Sequence, residues 1–120
     1  MSRADIPADA PVNRIIDWPS FFDQIRRRPA MWLGCTSLTA LQNFIGGIGL
    51  AQYLYDVPEE RLLSGFSFEA FEQWVEDHFN PEQLTFNSFS LARRATGSEE
   101  EAFHYWFAWY DRFRQERPGS

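Results

Sequence analysis

Ser98-Glu99-Glu100-Glu101-Ala102-Phe103-His104-Tyr105-Trp106-Phe107-Ala108-Trp109-Tyr110-Asp111-Arg112-Phe113 is the stretch whose reading decides the fold class. Its first four residues have the form of a capping box, with Ser98 accepting from the Glu101 amide and the Glu101 carboxylate reaching back. Three acids in the first turn suit the positive end of a helix dipole, and Arg112, Arg114 and Arg117 suit the negative end. Phe103, Trp106, Phe107, Tyr110 and Phe113 recur at three- and four-residue spacing, which predicts one buried helix face. Tyr105 and Trp109 stand off that stripe, four residues apart, and are expected as an aromatic pair available to an interface.

Helical spacing continues towards the N-terminus. Residues 84–95 are ambiguous: Leu84, Phe86 and Phe89 could open a strand, but Ser88 to Ala95 reads better as a short helix ended by Gly97. Before it, Ser67 can cap a helix whose stripe is Phe68, Phe71, Val75 and Phe79. Trp74 and His78 flank that stripe, Glu69, Glu72, Glu76 and Asp77 lie away from it, and Asn80-Pro81 ends it. Val57-Pro58-Glu59-Glu60 is a connector with room for a helical turn through Leu63. Ser37 caps a longer helix carrying Leu38, Leu41, Phe44, Ile45, Ile48, Ala51, Gln52 and Tyr55. Gly46, Gly47 and Gly49 within it each cost about 1 kcal/mol relative to alanine, so close packing of another backbone is expected there. Asp17-Trp18-Pro19 opens the first helix, with Phe21, Phe22 and Ile25 inward, and Pro29 stops it. Arg28 to Gly34 reads as a loop. Met31 and Leu33 are expected to pack beneath the next helix, with Arg28 bonded to a carbonyl or carboxylate. Met31→Ala would then cost about 2–5 kcal/mol. The expectation is a compact, all-α single domain of about five helices over residues 15–117, with a flexible polar lead-in over 1–14 and a tail over 118–120.

Composition limits the chemistry. The chain has 120 residues, 44% hydrophobic and 18% aromatic, enough for one domain with its own core and with aromatics to spare for an interface. The net charge of −6 is uneven: residues 1–55 hold five arginines against four acids, and residues 56–120 hold six against thirteen. Such a surface repels nucleic acid and anionic lipid and steers basic proteins. A single cysteine, the lack of a leader and the lack of a long apolar run imply a cytoplasmic protein without a membrane partner. Cys35 follows Gly34 with no base in sight, and is expected to be a buried structural thiol. His78 and His104 form no metal-ligand spacing. Glu101 and His104 amount to half of a di-iron motif whose remainder is missing. Gly46-Gly47-Ile48-Gly49 lacks the spacing and the lysine of a P-loop, and Arg26-Arg27-Arg28 is explained by its place at a helix end. No metal, no cofactor and no catalytic residues are expected.

The segment Ile25-Arg26-Arg27-Arg28-Pro29-Ala30-Met31-Trp32-Leu33-Gly34, with Ser37-Leu38, Leu41 and Phe44-Ile45-Gly46-Gly47 after it, resembles a group of small bacterial proteins that share an I-x-x-R-P-x-M-[YW]-[LI]-G opening. Phe71-Glu72-Gln73-Trp74-Val75 and the acidic, aromatic segment Glu99 to Phe113 resemble the group's later helices, so the likeness spans most of residues 15–115. The chain departs at Ala30, where glycine is usual, and at Gly47-Ile48, where a polar and an aromatic residue are usual. The group is associated with immunity proteins of polymorphic toxin systems. The resemblance implies a cytoplasmic inhibitor that binds a cognate toxin domain, as a monomer or a weak homodimer. The alternative is a small-molecule-binding or structural homo-oligomeric helical domain without catalysis.

The expected partner face joins the outer sides of two helices: Glu69, Glu72, Trp74, Glu76 and Asp77 on one, and Glu100, Tyr105, Trp109 and Arg112 on the other. It would combine aromatic anchors with an acidic rim. The segment Arg28, Pro29, Met31, Trp32, Leu33 and Gly34 is expected to be a structural motif.

Overall fold

The computed structural model describes residues 17–118; the expected lead-in over 1–14 and the last two residues of the tail lie outside them. The chain is all-α. Six helices follow one another: α1 (Trp18–Arg27), α2 (Pro29–Leu33), α3 (Leu38–Leu54), α4 (Phe68–Phe79), α5 (Ser88–Arg94) and α6 (Glu99–Glu116). A 3-10 turn, Glu59–Arg61, lies between α3 and α4.

The caps behave as their residue types require. Asp17, Ser37, Ser67, Asn87 and Ser98 each accept from the amide three residues on, at the starts of α1, α3, α4, α5 and α6. The capping box of α6 is modified, because the Glu101 carboxylate accepts from the Gly97 amide at 3.3 Å. Residues 88–94 are helix, which resolves the ambiguous segment.

Helix α6 is the axis of the core. It packs on α3, α4 and α5, and Phe22 of α1 sets its ring edge-on to Trp106, Phe107 and Tyr110 at 5.0–5.8 Å. Phe66 enters the same core from the loop before α4. That loop is fastened to the start of α1, where the Trp18 amide donates to the Ser64 carbonyl at 2.8 Å. Gly65, at φ +83°, lets the chain pass Pro19 where a Cβ would meet Pro19 Cδ at 3.1 Å.

Several expectations for the first half are corrected. Arg28 to Gly34 is not a loop: Pro29–Leu33 is a helical turn ended by Gly34 in the left-handed region. Met31 is 55% exposed instead of packed under α3, because one short turn can point only part of its apolar set inward, and Trp32 and Leu33 take the inner side. Arg28 makes no side-chain hydrogen bond among the described residues and serves as the N-cap of α2 through its backbone. The glycines of α3 are not a packing seam among the described residues: apart from the helix's own neighbouring backbone, nothing there lies within 4 Å of a Cβ built at Gly46, Gly47 or Gly49. The inward stripe of α3 ends at Ile48, and Ala51 and Tyr55 are exposed. Cys35 is also exposed, in the turn before α3, contrary to a buried thiol.

Candidate partner-binding surface

The expected face requires α4 and α6 to be neighbours, and they are. Its acidic part is outward: Glu69, Glu76, Asp77 and Glu100 are exposed. Its aromatic anchors are not. Trp74 is 1% and Trp109 6% exposed, so both belong to the core and neither can be a partner's anchor. Spacing misplaces them because α4 and α6 are each covered on two sides. Trp74 lies under α6, with its Nε1 donating to Glu116 at 3.2 Å. Trp109 stacks on Phe79 of α4, centroid to centroid at 4.8 Å, with Tyr105 edge-on across it at 5.1 Å. Tyr105 alone of the expected aromatics keeps a partly exposed ring. Arg112 is held at home. Its Nε donates to Glu116 at 2.9 Å, and its guanidinium lies 5.6 and 5.5 Å from the Trp74 and Phe79 ring centres.

Glu116 gathers these groups. The Trp74 N–H first, and then Arg112, hold its carboxyl below the usual range. His78 donates through Nδ1 to the Trp74 carbonyl oxygen, 2.8 Å away. A carbonyl can only accept, so Nδ1 carries the proton and Nε2, 4.0 Å from Glu116, faces the carboxylate.

Glu72 is not a free surface acid. Its two oxygens accept from the Ser88 amide at 2.7 Å and the Ser88 hydroxyl at 2.5 Å, and Trp106 Nε1 donates to that same hydroxyl at 2.8 Å. This chain of bonds ties α4, the start of α5 and α6 together. Just outside it, Glu72, Glu76, Leu84, Phe86 and Leu91 line an open groove of about 410 Å³ between α4 and the approach to α5. Its outer lip is Phe86, an exposed ring that the sequence offered only as part of a possible strand and not as a site residue, because it belongs to no helical stripe. The Arg94 guanidinium sits 5.5 Å from that ring centre, so the ring already takes a cation on its face.

A second surface comes from α2 and α3. The run from Pro29 to Tyr55 contains no charged side chain. Leu50, Tyr53, Leu54 and Tyr55 stand outward from the second half of α3. Leu50, Tyr53 and Leu54 fall between the positions of the inward stripe, which is the signal that could have found them; Tyr55 was expected within that stripe and is exposed.

Among the described residues, no group of three or more His, Cys, Asp or Glu side chains is arranged to hold a metal ion. No helix there is long and apolar enough to cross a membrane. No protein family, characterised protein or solved structure matches the chain.

Proposed function

We propose that this chain is an immunity protein, a cytoplasmic inhibitor that neutralises a cognate bacterial toxin domain by binding it. The observation that carries the reading is the groove lined by Glu72, Glu76 and Phe86, which sets carboxylates beside an exposed aromatic ring and an apolar floor. An arginine or lysine from a basic protein fits that chemistry: its alkyl stem covers Leu84 and Leu91, and its charge meets Glu76. Exposed Glu69 and Asp77 on the same helix extend the negative field and speed the approach of a basic partner. The resemblance of residues 25–34 and of the later helices to immunity proteins points the same way.

The test is co-expression with the toxin encoded beside the gene. The chain is expected to restore growth and to co-elute with that toxin. Glu69→Lys combined with Glu76→Lys is expected to slow association about ten-fold or more at low salt, with little change in dissociation. Phe86→Ala is expected to act on dissociation. No rescue and no complex would sink the reading; rescue untouched by either variant would move the interface away from the groove.

A further inference from the structure

Helix α3 has two sides without charge, and among the described residues only one of them is covered. The inner side, Leu38, Leu41, Phe44, Ile45 and Ile48, packs on the core. The outer side runs through Asn43, Gly46, Gly47, Leu50, Tyr53 and Leu54, again at three- and four-residue spacing, and all six are exposed. Leu50 is 57% and Tyr53 81% exposed. A helix with no charge on any side and large apolar residues on two of them is suited to burial on both. Glycine in a helix exposed to water lowers its stability relative to alanine, and the free space above Gly46 and Gly47 serves no contact among the described residues.

The geometry points to a second copy of this chain as what covers that side, through a two-fold, antiparallel contact of α3 with α3. Charge selects the occupant. Two molecules of net charge −6 repel unless they meet where neither carries charge, and α3 lies in the uncharged run from Pro29 to Tyr55. A basic partner would gain nothing there, since the face holds no carboxylate to receive it. Shape agrees. In a two-fold contact each patch meets itself. An axis between Gly47 and Leu50 sets the Leu50 of each copy into the hollow over the other's Gly46 and Gly47. It also sets Tyr53 and Leu54 opposite Asn43, whose amide can satisfy the tyrosine hydroxyl. Leu50, Tyr53 and Leu54, exposed to this degree, bury about 400 Å² per chain, below the roughly 600 Å² per partner at the lower end for specific pairs. The dimer is therefore a weak, transient one.

Sedimentation equilibrium of the full chain between about 1 and 500 μM tests this. The expected result is a monomer–dimer equilibrium that tightens as salt rises from 50 to 500 mM, because screening relieves the repulsion between like-charged copies. A toxin complex held by acidic groups would weaken under the same change, so the two readings fail separately. Leu50→Glu, at an exposed position, should leave the circular dichroism spectrum intact and reduce dimerisation by more than ten-fold. Gly47→Ala should raise the melting temperature of the dilute monomer while weakening association about ten-fold, a pair of opposite effects that an idle solvated face would not give. A parent monomeric at 500 μM, a Leu50→Glu protein that still dimerises, a Gly47→Ala protein that melts higher with association unchanged, or open-ended assembly would each overturn the proposal.

Discussion

The Ser88 hydroxyl is completely enclosed, and every polar group around it is spoken for: it donates to Glu72 and accepts from Trp106. Removing it leaves a buried indole N–H and half of a partly buried carboxylate without partners. Ser88→Ala is therefore expected to cost about 1–3 kcal/mol in urea melts, the desolvation penalty of unpaired polar groups. Phe86→Ala, at the exposed rim of the groove, should change stability by less than about 0.5 kcal/mol and serves as the control. Met31 and Leu41 make a second contrast. Both are large apolar residues of the uncharged run, yet Met31 is exposed and Leu41 has no exposure at all. Leu41→Ala should cost about 2–5 kcal/mol, and Met31→Ala within about 0.5 kcal/mol of nothing. A large loss at Met31 would mean that its side chain is covered in solution. Trp109→Ala belongs with the core substitutions and would unfold the chain by about 3–5 kcal/mol before it reported on any partner.

At the scale of elements, α3 is anchored at its N-terminus by a residue from another helix. Glu99, the first residue of α6, accepts from the Thr39 amide at 2.8 Å, the Thr39 hydroxyl at 3.0 Å and the Ser37 hydroxyl at 3.1 Å. Arg93 of α5 reaches the same turn, donating to Gln42 at 2.9 Å. The carboxylate of α6 thus sits at the positive end of the α3 dipole, and α5 braces the same turn beside it. The Thr39 amide above all, and then its hydroxyl and that of Ser37, hold the Glu99 carboxyl below its ordinary range. A depressed carboxyl adds stability that is present above the unfolded-state value and is lost as pH falls through the folded one. Glu99→Gln should accordingly be less stable than the parent at pH 7, by about 0.5–1 kcal/mol after screening. The difference should close as pH drops through the carboxylate range. Urea midpoints at pH 7, 5 and 3 check this; a gap that persists at pH 3 would place the effect in packing. The α6 end of the bundle has a matching brace, with Arg26 of α1 gripping Asp111 through two bonds of 2.7 Å.

For the whole molecule, burial of Tyr110 between α1 and α6 has a consequence at alkaline pH. Desolvation pushes its phenol up to about 12, against a partly opposing pull from Arg114. A raised acid contributes stability that is intact below its unfolded value, about 10, and is lost as pH rises through the folded one. The parent should therefore lose urea resistance between pH 10 and 12 more steeply than Tyr110→Phe, whose ring keeps the contact with Phe22 without the ionisable group. Equal slopes for the two proteins would show that Tyr110 is solvated. Arg114 also donates to the Gly65 carbonyl at 3.2 Å, so the same end of α6 holds the loop that delivers Phe66 to the core.

Helix class, caps and most boundaries were legible in the chain because they depend on neighbours three and four residues away. Asp17, Ser37, Ser67 and Ser98 cap where their side chains can reach the nearby amides, and Phe103, Trp106, Phe107, Tyr110 and Phe113 are all buried as their spacing requires. The acidic half of the chain is equally a matter of composition. Which side of a helix meets water is different, because it depends on how many neighbours that helix has. Trp74 and Trp109 stand off the stripe of their own helices and are buried only because α4 and α6 close over each other, while Leu50 and Tyr53 are exposed because none of the described elements lies above them. Periodicity assigns one face per helix. Only tertiary packing decides whether a second face is covered, and on α4, α6 and the outer side of α3 that decision moved the candidate surface from the tryptophans to Phe86 and to the uncharged helix.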